Sequence, residues 1–210
     1  MVIIVPTKRQ VDGEVAIANA VTTELLKGEQ QLFLPLELLD SINSWKNRRV
    51  YFDLESYAFF EKAKGVIQQA LEPKGVFRMR RLVEKLDKHR VAADVFVLSN
   101  LFGNPIDVFI KEAKKSLQHL IVTINFGNGC MTQLDYTTAK QEYVEMEWSG
   151  NGKIIEFSSV EMNPFQPRHF TAAPLTYNAD VLMKNSRVID EELLLQLDVL
   201  YERIVGGDTK

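Results

Sequence analysis

The first fifty residues carry two short apolar runs separated by an amphipathic stretch, which predicts a β-α-β unit. The run Val2–Val5 is apolar and β-branched, as is typical of a buried parallel strand. A helix is expected to follow, capped by Asp12 and closed by Gly28. Gln31–Leu34 then predicts a second strand, which Pro35 ends. Two strands joined by one helix form the corner of a parallel sheet.

Helical periodicity dominates the next fifty residues. Glu37–Phe52 predicts a short helix and an irregular passage, and Leu54–Leu71 a helix with one apolar stripe. Val76–Met79 begins a strand. Glu84–Phe102 predicts a further helix, with Gly103 as its stop signal.

From residue 105 onwards the pattern changes to alternation with a period of two, which predicts an antiparallel meander. Pro105–Ile110 and Leu120–Phe126 are expected strands. The turns Gly127-Asn-Gly129 and Ser149-Gly-Asn-Gly152 contain Asn-Gly, which is a strong hairpin signal. The next strand alternates an apolar set with polar residues that mark a wet face or rim. The apolar set is Val144, Met146 and Trp148, and the polar set is Glu142, Tyr143, Glu145 and Glu147.

The C-terminal region combines a proline-bearing loop with a helix. Residues 160–174 contain three prolines and predict a loop. The spacing of Leu193, Leu197, Leu200 and Ile204 predicts a helix with one buried stripe. The whole pattern predicts an α+β fold with an α/β N-terminal corner: a partial Rossmann-like β-α-β unit, then an open antiparallel sheet with helices on one face.

Composition narrows the functional classes. The 210 residues are 46% hydrophobic and 25% charged, as in ordinary globular proteins. A net charge of −3 provides no field for nucleic acid or anionic lipid, so neither partner is expected. A single cysteine and the absence of a signal peptide predict a cytoplasmic protein. No apolar run is long enough to span a bilayer.

Metal and nucleophile chemistry is not expected. His89, His119 and His169 show no metal-ligand spacing, and Cys130 has no cysteine partner. Cys130 follows a turn and has no nearby base, so a small apolar filler is the expectation.

Two basic clusters remain. The first, at residues 46–49, is expected to be solvated. In the second, a helix starting near Arg81 would place Arg81, Lys85 and Lys88 on one face, which could bind a phosphate or carboxylate; a solvated face is the alternative. The second cluster contains Arg78, Arg80, Arg81, Lys85, Lys88, His89 and Arg90. Arg168 and His169, in the proline-bearing loop, could line the mouth of a ligand site.

Four strings in this order resemble the Gfo/Idh/MocA oxidoreductases, the glucose–fructose oxidoreductase and inositol dehydrogenase family. Val2–Thr7 resembles the fourth strand of the family's Rossmann domain, whose Pro-Thr loop lies near the nicotinamide. Gln31–Leu36 stands where the family has Val-Glu-Lys-Pro-Leu, and Asp94–Gly103 resembles a family helix. Leu120–Asp135 resembles the family's apolar strand, Asn-Gly turn and returning strand, and is the most specific match. A generic α+β domain is the alternative.

The departures from the family concern its proton-transfer residues. The family's Lys falls on Leu34, its His on Ala93, and the Asp four residues before that His on His89; only Asp94 is retained. Proton transfer needs a titratable atom within hydrogen-bond reach, which leucine and alanine lack. The family's Gly-x-Gly-x-x-Gly turn is also missing, because the glycine pairs at 127–129 and 150–152 fit hairpins. We therefore expect no catalytic residue, and we identify no cofactor-binding residues.

The resemblance implies a degenerate oxidoreductase. Residues 1–53 would be a remnant of a Rossmann-like unit and 54–210 a C-terminal oxidoreductase-like domain, or the two form one compact unit. The expected function is a pseudoenzyme that binds a small molecule or acts as a subunit. No cofactor is expected on this chain alone. The candidate substrate-binding residues are Pro6, Thr7, His89, Asp94, Arg168 and His169.

Three questions stay open at this stage. A homodimer through the open sheet would use Val144, Met146 and Trp148, unless they pack on the chain's own helices. A partner chain could complete an NAD- or NADP-dependent oxidoreductase in trans. The chain could also be an unrelated structural interaction module. Convergence of Pro6–Thr7, Pro35 and Asp94 on one pocket would favour the family.

Overall fold

The computed structural model describes residues 2–6, 9–41, 47–113, 118–161, 171–172 and 175–206. Five α-helices lie within these ranges: α1 Thr23–Lys27, α2 Ala58–Ile67, α3 Lys88–Phe102, α4 Ala179–Asn185 and α5 Glu191–Gly206. Short 3-10 turns occur at Leu36–Ser41 and Leu54–Ser56.

The strands form two main sheets. The first has the order β15-β5-β4-β1-β3 and is parallel except for β15. Its strands are β1 Val2–Ile4, β3 Ala16–Ile17, β4 Gln31–Pro35, β5 Arg48–Tyr51 and β15 Arg187–Val188. The second has the order β11-β10-β6-β9-β8-β7. Its strands are β6 Gly75–Val83, β7 Asp107–Ala113, β8 His119–Gly127, β9 Cys130–Thr138, β10 Tyr143–Gly150 and β11 Lys153–Ser158.

Two small pairings complete the described strands. β2 Gln10–Asp12 pairs in parallel with β14 Thr176–Asn178, and β12 Val160–Glu161 pairs with β13 Thr171–Ala172. The parallel N-terminal corner and the larger sheet confirm the predicted fold class.

The N-terminal unit confirms the parallel β-α-β prediction but corrects its helix. Asp12 ends β2 and caps no helix. The helix starts only at Thr23, because the Thr22 hydroxyl accepts a hydrogen bond from the Leu25 N–H at 3.2 Å. Gly28 closes it as expected. The sequence pattern missed β2 because its partner, β14, lies at the other end of the chain.

The segment before residue 53 contains a strand, β5, that the sequence pattern did not predict because it begins with two arginines. The prediction of a solvated cluster at 46–49 is wrong for Arg48 and Arg49, which lie in β5. Arg48 is buried and donates to the Leu26 carbonyl at the end of α1. Arg49 Nε donates to Ser186 Oγ at 2.8 Å. Both guanidinium groups donate hydrogen bonds to oxygen atoms of the fold, and these bonds compensate for the loss of contact with water.

The larger sheet confirms both hairpins but is not a simple meander. Asn128 and Asn151 have positive φ in the two predicted turns. β6 lies between β9 and β10, parallel to β9 and antiparallel to β10. The prediction of a helix near Arg81 is wrong, because Arg81 belongs to β6.

The inner face of this sheet packs against the chain's own helices. Val144, Met146 and Trp148 are at most 2% exposed, and the Trp148 ring stacks on Phe102 of α3 at 5.3 Å. Of the two expectations for these residues, the structure supports packing on the chain's own helices and not an open apolar patch. They face inward because alternation places them opposite the polar residues of β10, which form the outer face.

The C-terminal helix closes the core. Its predicted stripe of Leu193, Leu197, Leu200 and Ile204 is buried, which confirms the helix and its facing. One hydrophobic cluster extends from Ile4 to Ile204, on both sides of residue 53. The division into two domains stays a prediction. In the described part of the chain, no helix has the length and apolarity needed to cross a lipid bilayer.

Candidate functional site

Two adjoining cavities lie where the segments that follow β4 and β5 meet the start of α3. The first has a volume of about 260 Å³ and reaches α5; the second has about 230 Å³. Four charged residues line both: Glu37, Asp53, Asp87 and Arg90. The carboxyl edge of a parallel sheet is a common place for ligand sites, because side chains that follow the strands converge there.

Asp53 lines both cavities and contacts side chains from several parts of the chain. It comes two residues after the end of β5. Its Oδ1 accepts hydrogen bonds from the Tyr57 hydroxyl at 2.9 Å and the Tyr177 hydroxyl at 2.6 Å. Its Oδ2 pairs with Arg81, and Arg9 Nε lies 3.9 Å from Oδ1. Burial opposes its ionisation, but Arg81 and the other nearby arginines outweigh burial and hold the pKa of Asp53 well below its ordinary value.

Asp94 is the second buried acid of the site. Its Oδ2 accepts from Arg81 Nη1 at 2.6 Å and from the Tyr136 hydroxyl at 2.8 Å. No described residue donates a hydrogen bond to Oδ1, and this oxygen is not completely shielded from solvent. Asp94 lines the first cavity, and Oδ1 is its carboxylate oxygen that no described donor contacts. Burial and the charge of Asp53 raise the pKa of Asp94, against the opposing effects of Arg81 and Tyr136.

Arg90 lines both cavities and is paired with carboxylates. Its guanidinium lies 3.3 Å from Glu37 Oε1 and 3.7 Å from Glu142 Oε1. Glu142 also pairs with Arg9. Both arginines are thereby held by carboxylates, and neither is left as an uncompensated cation for an anionic ligand.

His89 is a predicted site residue that reaches the first cavity. Asp87 caps α3 by accepting from the His89 N–H at 2.9 Å, and the same oxygen lies 3.2 Å from His89 Nδ1. The imidazole stacks on Tyr201 of α5, with ring centroids 4.1 Å apart. The start of α3 therefore fixes the orientation of the ring at the cavity.

The other predicted residues divide into three groups. Asp94 lines the first cavity with His89, as described above. Pro6 lines neither cavity, although Arg9, three residues later, lines the second. Thr7, Arg168 and His169 lie outside the described residues. Of the described residues expected to converge on one pocket, only Asp94 lines the first cavity; Pro6 and Pro35 do not, although Leu36, which directly follows Pro35, does.

The two positions that lack the family's titratable groups have different surroundings. Ala93 lines the first cavity, so a small apolar group faces the ligand space there. Leu34 is fully buried on the other face of the parallel sheet, in a cluster with Ile3, Val5 and Leu32. Glu37 is the first charged residue after β4 to reach the cavity.

The sequence pattern missed Asp53 and misplaced Arg81. A polar residue soon after an apolar strand would have indicated Asp53, had β5 been predicted. Arg81 gave no such signal, because its acceptors Asp53 and Asp94 lie on other elements.

The described residues offer no metal or nucleophile centre. No group of three or more His, Cys, Asp or Glu residues among them is placed to hold a metal ion. His119 Nε2 lies 2.7 Å from Asp135 Oδ1, on the outer face of the larger sheet. Burial raises the pKa of the Cys130 thiol to about 11, so the thiolate is scarce at neutral pH.

Known proteins resemble this chain in structure but not in sequence. No protein-family model matches this sequence, and no curated protein matches it. Solved structures do match. A proposed oxidoreductase from Thermotoga maritima is 11% identical with a TM-score of 0.50, over 89% of this chain and 73% of its own. The fold is oxidoreductase-like.

Two further structures are similar at lower scores. Myo-inositol 2-dehydrogenase from Lactobacillus plantarum is 9% identical with a TM-score of 0.49, over 94% of this chain and 71% of its own. The WlbA dehydrogenase from Thermus thermophilus, solved with NAD and UDP-GlcNAcA, is 13% identical with a TM-score of 0.40. That match covers 63% of this chain and only 54% of the dehydrogenase. At such identities the likeness concerns the fold alone.

Proposed function

We propose that this chain is a degenerate member of the Gfo/Idh/MocA oxidoreductases that binds a small molecule in the first cavity and does not transfer hydride by itself. The observation that carries the proposal is the cavity beside Ala93 and Asp94. It lies at the carboxyl edge of a parallel sheet, where ligands commonly bind, yet none of the described residues that line it is a lysine.

The titratable groups around the first cavity support the non-catalytic part of the proposal. Asp94 is committed through Oδ2 to Arg81 and Tyr136. Arg90 pairs with Glu37, and arginine stays protonated throughout the physiological range. His89 stands where the family has an aspartate, and Ala93 stands where the family has its histidine.

The described elements also lack a dinucleotide cradle. A pyrophosphate is held by a glycine-rich turn that opens a helix. Gly127, Gly129 and Gly152 adopt positive φ in hairpin turns between strands of the larger sheet. α1 follows Val21 and Thr22, and no glycine precedes it directly.

The strand pairing in the first sheet argues against the alternative, in which strands from a partner chain complete the fold in trans. β1 already pairs on one side with β4 and on the other with β3, through Ile3 and Ile4. A partner strand could extend the sheet next to β1 only by displacing β3. β3 is a two-residue strand, and very short edge strands are poor templates for strand addition.

Calorimetry with NAD, NADH, NADP and NADPH tests the non-catalytic part. We expect no binding tighter than about 1 mM, corresponding to about 4 kcal/mol, and no NADH oxidation with polyols or their ketones. Tight binding of a dinucleotide by this chain alone would overturn it.

A ligand screen by thermal shift tests the binding part. Ala93→Phe should fill the first cavity and abolish the stabilisation by any hit. Asn100→Phe, on an exposed position of the same helix outside the cavity, should keep it. Equal loss in both variants would place the ligand elsewhere.

We also propose a homodimer through the outer face of the larger sheet. This face carries the pairs Arg78–Glu147 and Arg80–Glu145, and the exposed side chain of Phe109. Alternating charges can pair with the same residues of a second copy across a two-fold axis. Sedimentation equilibrium should give a dimer that Phe109→Asp weakens; a monomer at all concentrations would overturn this part.

A further inference from the structure

The first cavity has an excess of negative charge. Five carboxylates line it: Glu37, Asp53, Asp87, Asp94 and Asp198. Among the described residues of that lining, Arg90 is the one permanent cation. Arg9 and Arg81 contact Asp53 from behind the lining, and even with them the described carboxylates remain in excess.

Three of the five carboxylates lack a permanent cation of their own among the described residues: Asp87, whose partner is His89, Asp94 and Asp198. Glu37 pairs with Arg90, and Asp53 has Arg81 and Arg9. Asp198, on an exposed position of α5, has no hydrogen-bond or ion-pair partner among the described residues. Asp94 shares Arg81 with Asp53, so one guanidinium serves two carboxylates.

Asp94 provides a second, independent observation. Its side chain is only 2% exposed and lines the cavity, and its Oδ1 has no donor among the described residues. A buried carboxylate oxygen gains free energy from a donor, because water no longer solvates it fully. The raised pKa of Asp94 agrees with incomplete compensation by Arg81.

The remaining lining is apolar apart from His89 and Tyr201, which carry polar groups. Leu36 and Leu39 line the cavity from the segment after β4, and Leu194 and Leu197 line it from α5. A ligand that fits this cavity therefore combines an apolar body with a hydrogen-bond donor, and the charge excess favours a positive head group over a neutral or negative one.

We infer that the first cavity takes an organic amine, with its ammonium group at Asp94 Oδ1 and Asp198 and its hydrocarbon body against the leucines. This inference rests on the proposed function, because it names the ligand class of the same cavity. The inference goes further than the proposed function, which a polyol or a keto compound would fit equally well.

Three probes that share a phenyl ring test the head group: benzylamine, benzyl alcohol and benzoate. Calorimetry at pH 7 should give the lowest Kd for benzylamine. Asp198→Asn should raise the benzylamine Kd roughly twofold to fivefold, as for a partly exposed charge, and leave that of benzyl alcohol unchanged. Glu192→Gln removes a carboxylate from the same helix outside the cavity and should change neither Kd.

Asp94→Asn should have a larger effect, about tenfold or more, because its oxygen is buried. If that variant does not fold, Asp198→Asn alone decides. Tightest binding of benzyl alcohol or benzoate, abolished by Ala93→Phe, would overturn the amine inference and leave the proposed function standing. No binding of any probe, with no hit in the thermal-shift screen, would overturn both.

Discussion

Three arginines of β6 have two opposite environments. Arg78 and Arg80 point outward and pair with Glu147 and Glu145 across the strand boundary. Arg81, the next residue, points inward, and its guanidinium is 1% exposed between Asp53 and Asp94. Arginine therefore forms solvated ion pairs on one face of the sheet and a buried bridge between two acids, Asp53 and Asp94, on the other.

The difference teaches what burial does to an ion pair. An exposed pair contributes little, because water and salt screen it. A buried pair is costly to desolvate, but once formed its loss leaves a charge without a partner in a poorly polarisable interior. Arg81 thus fixes where the acids of the cavity lie, whereas the outer arginines can change with little effect on the fold.

The largest expected effect is that of Arg81→Met. It leaves Asp53 and Asp94 without their shared cation, so we expect the free energy of unfolding to fall by about 3–5 kcal/mol. Urea denaturation measures it. Arg78→Met, the same change on the opposite face of the same strand, should cost less than about 1 kcal/mol. Equal costs for the two variants would contradict the comparison.

A pair of intermediate exposure should have an intermediate effect. Arg187 makes two hydrogen bonds to the Glu55 carboxylate, at 2.5 and 3.1 Å, and its guanidinium lies over the rings of Phe52 and Phe96. We expect Arg187→Ala to cost about 2–3 kcal/mol, through charge-assisted bonds and cation–π contacts. Arg187→Lys keeps the charge but not the paired geometry, and should recover about half. Full recovery by lysine would show that charge alone matters.

The dependence of the free energy of unfolding on pH in the acid range should reveal the contribution of Asp53. Its pKa in the folded state lies below the ordinary value, so the unfolded chain takes up this proton first as the pH falls. The contribution of Asp53 is therefore present above about pH 4 and is lost below it. Asp94 acts in the opposite direction, because its folded-state pKa is raised.

Urea denaturation between pH 5 and 3 can isolate the contribution of Asp53. Asp53→Asn should make the slope of unfolding free energy against pH shallower by up to about 1.4 kcal/mol per pH unit. Arg81→Met should flatten it as well, since Arg81 is the main cation that lowers the pKa of Asp53. A slope unchanged in both variants would mean that the pKa of Asp53 is not lowered by this pair.

The sequence predicted those elements whose signals are local. The turns at Asn128 and Asn151 depend on two adjacent residues that tolerate positive φ, and both formed as predicted. The stripe of α5 depends on spacing within one helix. The alternation in β10 identified its two faces, but not which of them the chain's own helices cover.

The candidate site was predicted only in part, because its contacts are non-local. His89 and Asp94 came from a resemblance, and both line the first cavity. The insertion of β6 beside β9 cannot be derived from alternation, which fixes the face of a residue and not the neighbouring strand. Arg81 consequently looked like part of a solvated basic cluster, whereas its two partners lie outside β6, at the end of the β5 segment and on α3.

The smallest expected effect concerns Arg80 and Glu145, whose side chains are 60% and 45% exposed. A double-mutant cycle with Arg80→Ala and Glu145→Ala should give a coupling of about 0.2–1 kcal/mol in low salt and almost none in 1 M NaCl, where the Debye length is about 3 Å. The cycle for Arg81→Met and Asp94→Asn should keep its coupling in the same salt, because ions do not enter the core.

Running the Arg80 cycle at two protein concentrations also tests the proposed dimer. A coupling that grows with concentration means that a second copy covers this face, whereas a large coupling unaffected by salt at either concentration would show that the outer face is not open to water at all.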